Sequence, residues 1–484
     1  MRVTLICPPL IHQQGDPFGG IPAMPTGLAY LAAWLRKAGH EVTLIDAFGE
    51  APRRAIPFKE KYVAQGLPFD EIVERIPKDA ELVGIGCHSG AQHSATLVII
   101  EKIKQLLAVP VVIGGHHPTV VSKPFLDAGA DFVVKGEGEI AAERLCEALK
   151  GGTPLANVPG LILPGGREAE SEEIESLDEI PFPAVDLLPL ENYWNLGLSH
   201  GPVRGKHIFM ISSRGCPYSC RFCTTPGICG RRWRSRGAAN VVDEMEEWLR
   251  RYGVRDFHFQ DENFAVSKKR VIEICDEIER RGLDVSISLP SGIKAETIDE
   301  ETVRALKRAG CRYICLAPES GSKRVLKLMD KPLDFGHTEK LVRLCRKLKI
   351  RTGLFFILGF PGETEEDRRE TSRLVGRLTR LGADEFSIFI FTPLPGAEAW
   401  NDAAELHGHW KDYEELCWSP RWRPDYKILN RRRRRLYLRY AFTKAIFHPL
   451  SVLRNLVNII TGRFETKGEM TIRRMFSRST KRNL

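Results

Sequence analysis

Along residues 1–150, short apolar runs alternate with longer stretches in which apolar positions recur at helical spacing. Val3–Cys7, Glu41–Asp46, Leu82–Cys87, Val109–Ile113 and Asp131–Val134 read as strands. Leu28–Ala38, Ala95–Leu107 and Ile140–Leu149 read as amphipathic helices between them. This alternation predicts a doubly wound parallel sheet with a Rossmann-like layering of helices. Such sheets take ligands beyond the carboxyl ends of their strands. Those ends carry Ser89-Gly90 after the third strand, Gly114-Gly115-His116-His117-Pro118-Thr119 after the fourth, and Lys135-Gly136-Glu137-Gly138-Glu139 after the fifth. Glycine lets a backbone approach a large ligand, and a turn into a helix offers free amides. Ordinary strand-to-helix turns would use the same residues.

Residues 151–205 lose this rhythm. They are rich in Pro, Gly and acidic residues, a composition that reads as a linker with a small hairpin. A second alternation then spans 206–395. Its strands are Ile208–Ser212, Val254–Gln260, Val285–Leu289, Tyr313–Ala317, Thr352–Leu358 and Glu385–Phe391, with helices such as Ala238–Arg251, Lys268–Arg281, Asp299–Ala309 and Glu365–Leu381. Six strand–helix units predict a (β/α)6 partial barrel, whose active site belongs at the carboxyl ends of the strands. The unusual sequences of this region all sit there. The remainder, 396–484, reads as a basic, largely helical extension.

The 484 residues accommodate about three domains. At 43 % apolar and 27 % charged the composition is globular, and no apolar run approaches the ~20 residues of a membrane span. The opening MRVTLICPPL reads as a strand, not as a secretory signal, so a cytoplasmic chain is expected. From Arg421 onward there are 18 Lys and Arg against 3 Asp and Glu, leaving 53 against 59 in the rest of the chain. The net charge of +9 therefore belongs to the tail, and no nucleic-acid-binding module is recognisable.

Twelve cysteines in such a chain are thiols or metal ligands in preference to a disulfide framework. Nine are scattered: Cys7, Cys87, Cys146, Cys229, Cys275, Cys311, Cys315, Cys345 and Cys417. Cys216, Cys220 and Cys223 instead stand in a C-x3-C-x2-C loop directly after the first barrel strand. Three thiolates on a short loop can converge on one inorganic centre. Structural zinc wants four protein ligands, and the candidate for a fourth is Cys229. Without it, one metal position stays open.

The loop Ser213-Arg214-Gly215-Cys216-Pro217-Tyr218-Ser219-Cys220-Arg221-Phe222-Cys223 resembles that of radical S-adenosylmethionine enzymes. The resemblance implies that Cys216, Cys220 and Cys223 bind a [4Fe–4S] cluster and that Phe222 lies beside the adenine of S-adenosylmethionine. In that family the amino and carboxylate groups of S-adenosylmethionine chelate the open iron, and reduction of its sulfonium yields a deoxyadenosyl radical, with a flavodoxin or ferredoxin as electron donor. Pro318-Glu319-Ser320-Gly321-Ser322 is similar to the family's turn beside the cofactor's ribose and amino group. Gly359-Phe360-Pro361-Gly362-Glu363-Thr364 follows the fifth strand, as in many members; Glu363 reads more readily as a cap than as a cofactor contact.

The first 150 residues resemble the cobalamin-binding domain that precedes the radical domain in one subgroup. The matching pieces are Cys7-Pro8-Pro9, Pro25 to Leu31, Gly114 to Thr119, and Gly136-Glu137-Gly138-Glu139. Ser89, Gly114, Gly115, His116, Pro118, Thr119, Gly136 and Glu137 are thereby implied on the cobalamin side. Related cobalamin domains of another type ligate cobalt through D-x-H-x-x-G. The corresponding Leu10-Ile11-His12-Gln13-Gln14-Gly15 lacks the Asp that would orient the His, so cobalamin without ligation by His12 is expected.

The resemblance implies methylation of an unactivated carbon of a small molecule or lipid. Two alternatives stay open: a radical cyclisation like that of anaerobic porphyrin-ring cyclases, and a non-catalytic corrinoid- or zinc-binding protein. In the tail, Leu436, Tyr440, Phe447, Leu450, Leu453 and Leu456 with Arg439, Lys444 and Arg454 predict one or two amphipathic helices broken near Pro449. They would lie on a membrane surface or pack on the barrel. Substrate contacts are not legible; Asp261, Glu262 and Tyr313 simply stand at strand ends.

Overall fold

The computed structural model describes residues 1–16, 24–197, 199–407, 413–415 and 419–480. Cys417 lies outside them. The first unit contains β1 (Arg2–Cys7), β2 (Leu10–Gln13), β3 (Glu41–Asp46), β4 (Ala55–Phe58), β5 (Tyr62–Gln65), β6 (Leu82–Gly86), β7 (Val111–Gly114), β8 (Phe132–Val134) and β9 (Leu161–Ile162). One sheet runs in the order β3-β1-β6-β7-β8-β9, parallel except for the antiparallel β8–β9 pair. Its strands are nearly all apolar because helices cover both faces: Ile6, Ile85, Val111, Ile113 and Val133 are buried. The order reverses between β1 and β6, which is where such sheets open a crevice.

Two features depart from the simple alternation. The strands β2, β5 and β4 form a separate three-stranded antiparallel sheet. Each has only four residues, too few for a period to show. The Pro- and Gly-rich stretch 151–205 supplies β9 and inserts Leu177, Ile180, Val185 and Tyr193 into buried positions. The Tyr193 hydroxyl donates to the Asp46 carboxylate at 2.6 Å, tying this stretch to the end of β3.

The second unit contains β10 (His207–Met210), β11 (Ser213–Arg214), β12 (Arg234–Ser235), β13 (Asp256–Phe259), β14 (Ser286–Ile293), β15 (Cys311–Glu319), β16 (Arg351–Leu358) and β17 (Glu385–Ile390). Six form a parallel sheet in the order β10-β13-β14-β15-β16-β17, and its two edge strands do not pair, so the barrel stays open. The intervening helices start on side-chain caps, as at Ser267, Asp299, Ser322 and Thr364, the last with Asp367 in a reciprocal capping box. β11 and β12 make a short antiparallel ribbon just beyond β10.

The tail forms helices Tyr426–Phe447, Pro449–Thr461 and Lys467–Thr480, with the expected break ahead of Pro449. The first lies along β17 and the helix Glu365–Leu381. The last places its Lys467 and Gly468 amides on the Glu385 carboxylate at 3.1 and 2.6 Å, and the Tyr313 hydroxyl donates to the same group at 2.5 Å. Among the described residues no helix is long and apolar enough to cross a membrane.

Candidate active site

The ends of both sheets converge on one seam. The cysteine loop leaves β10 through the β11–β12 ribbon and is held at its middle. Arg221 donates through its amide to the Met329 carbonyl at 3.0 Å and through its side chain to Glu398 at 2.9 Å and to Asp402. Ser219 donates to Asp330 at 2.7 Å, and the Cys223 amide closes a turn on the Cys220 carbonyl at 2.9 Å. All three thiols are free and half-buried. Burial pushes Cys220 up to about 11 and raises Cys216 as well, so thiolates form here when a metal takes the place of the proton. Cys220 and Cys223 border a cavity of about 420 Å³ shared with Arg231 and Trp400.

The spacing of the sulfurs bears on what they can hold. Thiolates on one zinc ion at about 2.3 Å each would stand about 3.8 Å from one another. Among the described residues the three Cys sulfurs are not gathered within 4.8 Å, whereas His116, Cys229 and Glu262 are. A cube-shaped cluster, which takes each thiolate on a different iron, needs the wider placement. The three-thiolate donor set, with Cys229 drawn to other partners, fits a [4Fe–4S] cluster that keeps one iron open.

Beside the loop, Phe222 packs on the apolar cluster that contains Met329, Phe360 and Phe391, with the Lys331 ammonium 5.6 Å from its ring centre. Lys331 reaches the Glu319 carboxylate at 2.6 Å, and both side chains are buried. Glu319 ends β15 with φ of +59°, a left-handed conformation that costs a glutamate free energy and is concentrated at functional sites. The two residues after it turn the other way. Ser320 faces Thr371 at 3.3 Å, and the Gly321 amide donates to the Thr371 hydroxyl at 3.0 Å. A Cβ on Gly321 would meet the Thr371 Cα at 2.5 Å, so this glycine serves close packing of the turn on helix Glu365–Leu381.

The turn after β16 also folds on itself. Glu363 accepts from the Gly359 amide at 2.6 Å and from Arg368 at 3.0 Å, while Thr364 caps the helix. Gly362 adopts φ of +80° and its carbonyl accepts from Arg324 at 2.6 Å; Pro361 is half-buried beside it. Asp261, buried after β13, accepts from the Ser212 and Ser213 hydroxyls at 2.8 and 2.5 Å and so locks the exit of β10.

On the first unit, Gly115 adopts φ of +111°, and a Cβ there would lie 2.7 Å from the Cys87 carbonyl oxygen. Only glycine suits that position. Its neighbour Gly114 differs: a Cβ there meets nothing within 4 Å. Thr119 accepts from the Gly136 amide at 3.1 Å and donates to Gly115 at 3.0 Å, coupling the turns after β7 and β8. Pro118 is buried in the same short helix, and Ser89 is exposed at the turn after β6. His117 turns inward to His93 at 2.9 Å. His12 lies on β2 instead of a loop, with its ring nitrogens 3.2 Å from Gln13 O and Gln65 Oε1.

Between the units stand groups that the sequence left unrelated. The Glu137 carboxylate is taken up by Arg234 at 2.5 Å and Arg214 at 3.2 Å, and Arg214 also reaches Glu139 at 2.5 Å. Glu137 thus spans the two units as a strut, with the amide of Ile174 donating to it at 3.0 Å. Tyr30 reaches across to Glu244 at 3.2 Å. His116 meets Cys229 and Glu262 at the same seam. Burial brings His116 down to about 3, pushes Cys229 up to about 12, and raises Glu262 to about 7 with help from the neighbouring Asp261. Glu262 is thus the member of this trio whose value is pushed from the ordinary carboxylate range toward neutrality. The sequence pattern does not mark Arg214, Arg234, Lys331 or Thr371 as site residues; for Arg214 the available signal is its place inside the cysteine motif.

Residues 210–375 match the family model of the radical SAM superfamily, and residues 21–146 match that of the B12 binding domain. The chain is 31 % identical over 433 residues to an uncharacterized methyltransferase of Pyrococcus horikoshii, covering 86 % of this chain and 87 % of that one. It is 30 % identical over 411 residues to the cytidylyl-2-hydroxyethylphosphonate methyltransferase of Streptomyces wedmorensis, covering 77 % and 76 %. Among solved structures it is similar to the radical S-adenosylmethionine methyltransferase TsrM of Kitasatospora setae with cobalamin and a [4Fe–4S] cluster bound. That match has a TM-score of 0.67 and 22 % identity over 85 % of this chain and 76 % of that one, a likeness of fold.

Proposed function

Because the chain belongs to the radical SAM superfamily, in the form that carries a B12 binding domain, we propose that it methylates an unactivated carbon of a small-molecule or lipid substrate. When bound, the [4Fe–4S] cluster, S-adenosylmethionine and cobalamin supply the one-electron chemistry and the methyl group. Cys216, Cys220 and Cys223 would hold the cluster, and the Glu319–Lys331 pair with Phe222 would border S-adenosylmethionine. Gly114, His116 and Thr119 would line the corrinoid side, with Gly114 offering the unfilled space. A flavodoxin or ferredoxin would deliver electrons, in the cytoplasm.

The observation that carries this reading is the meeting of the two strand-end faces. His116 of the first unit lies with Cys229 and Glu262 of the second within 4.8 Å. Two cofactor sites that share a wall can act on one substrate. Anaerobic reconstitution followed by iron and corrinoid analysis tests it. The parent should hold both cofactors, and on reduction should give deoxyadenosine and S-adenosylhomocysteine. Cys220→Ala should lose the iron while keeping the corrinoid. Zinc without iron in the parent protein would defeat the reading.

A further inference from the structure

Of the thirteen large apolar side chains exposed among the described residues, twelve lie between Ile428 and Met475. They are ordered. On helix Tyr426–Phe447, Leu438, Phe442 and Ile446 recur every fourth residue, while Leu436, Thr443 and Lys444 face inward. On helix Pro449–Thr461, Leu450, Leu453, Val457 and Ile460 share a second face. Phe442, Leu450 and Ile460 are 70 %, 80 % and 77 % exposed. The buried residue of that second helix is Asn458, which donates to Glu469 at 3.0 Å. The helix is inverted relative to a core helix: amide inside, leucines outside. Water is a poor solvent for such a face.

Charge selects what covers it. From Tyr426 to Phe464 there is no Asp or Glu, against ten Lys and Arg. Lys427, Arg431, Arg434, Arg435 and Arg463 are exposed around the apolar residues. A second copy of the chain docked on this face would set cations against cations. A nucleic acid would leave the leucines and Phe442 unmatched. An anionic bilayer answers both features, since acyl chains take the apolar residues and headgroups take the guanidinium groups.

We propose that helices Tyr426–Phe447 and Pro449–Thr461 dock this protein peripherally on an anionic phospholipid bilayer. The helix pair runs along the barrel wall, its Tyr426 end beside the Gly359 and Phe391 carbonyls that Arg423 holds and its Pro449 end at the other rim. Lys444 and Tyr440 bond the Asp384 carbonyl just before β17, and His448 contacts the Thr379 and Arg380 carbonyls, so this end of the helix pair lies at the amino-terminal rim of the barrel. The cysteine loop lies at the opposite, carboxyl-terminal rim. The docking is a tether, independent of the reaction performed.

Flotation of the full-length protein with vesicles tests this. The protein should float with vesicles of phosphatidylcholine mixed with phosphatidylglycerol, float poorly with phosphatidylcholine alone, and be released by salt. Arg434→Glu with Arg435→Glu, and separately Leu450→Ser with Leu453→Ser, should each lower partitioning about tenfold or more. These side chains are exposed, so both variants should melt like the parent. Absence of binding to anionic vesicles would overturn the proposal, as would binding that survives both pairs of substitutions. A dimer in sedimentation velocity that Leu450→Ser with Leu453→Ser dissolves, without vesicle binding, would assign the face to self-association instead.

Discussion

Replacing Arg214 with Met should loosen the joint between the two units, and the structure sets the size of the effect. Arg214 is 17 % exposed and bridges Glu139, 6 % exposed, and Glu137, 15 % exposed. In the variant Glu137 keeps Arg234 at 2.5 Å and the Ile174 amide at 3.0 Å. Glu139 is the carboxylate left stranded, and one buried charge without its partner costs about 3–5 kcal/mol. At about 2–4 °C per kcal/mol for a unit of this size, melting should fall by roughly 6–20 °C. Scanning calorimetry of the apoprotein reads this directly. The interface should uncouple, so that one transition separates into two. Adding Glu139→Gln removes the stranded charge and should recover more than half of the loss. If Arg214→Met melts within about 1 °C of the parent, or if the second substitution recovers nothing, Arg214 does not hold the units together as argued.

Three further outcomes follow from particular contacts. Asp256 is raised by burial but held well below the usual carboxylate range by His258, by Arg312 at 2.5 Å and by the Arg204 amide at 2.9 Å. A depressed carboxyl stabilises fully above its ordinary value of 3.8 and loses this as pH falls through the folded value, so Asp256→Asn should flatten the acid limb of a stability–pH curve measured by denaturant melts. Gly115→Ala should cost about 1–3 kcal/mol from strain and the contact with Cys87, whereas Gly114→Val, with open space before it, should melt normally and show its effect as reduced corrinoid uptake by absorbance. Lys331→Met should strand the buried Glu319 and lower stability by about 3–5 kcal/mol; Glu319→Gln in the same chain should restore most of it.

Much of the architecture was readable before any coordinate because it is written in local patterns. Apolar runs of strand length between amphipathic segments announced both sheets, and the C-x3-C-x2-C spacing announced a three-thiolate loop, since loop length alone decides which sulfurs can converge. The glycine-bearing turns after β7, β8, β15 and β16 stood where strands end. What each residue there does was decided by distant partners. Glu137 looked like its neighbours on the cobalamin side until Arg214 and Arg234 claimed it, and Gly321 owes its identity to Thr371, fifty residues away. Cys229 stood near the three cysteines of the C-x3-C-x2-C loop in sequence, yet its sulfur lies with His116 and Glu262. The tail's composition permitted either an inward or an outward apolar face, and packing against β17 chose. Periodicity reports how a segment can bury itself; which of many carboxylates meets which guanidinium, and which face is left over, are properties of long-range packing that no short window contains.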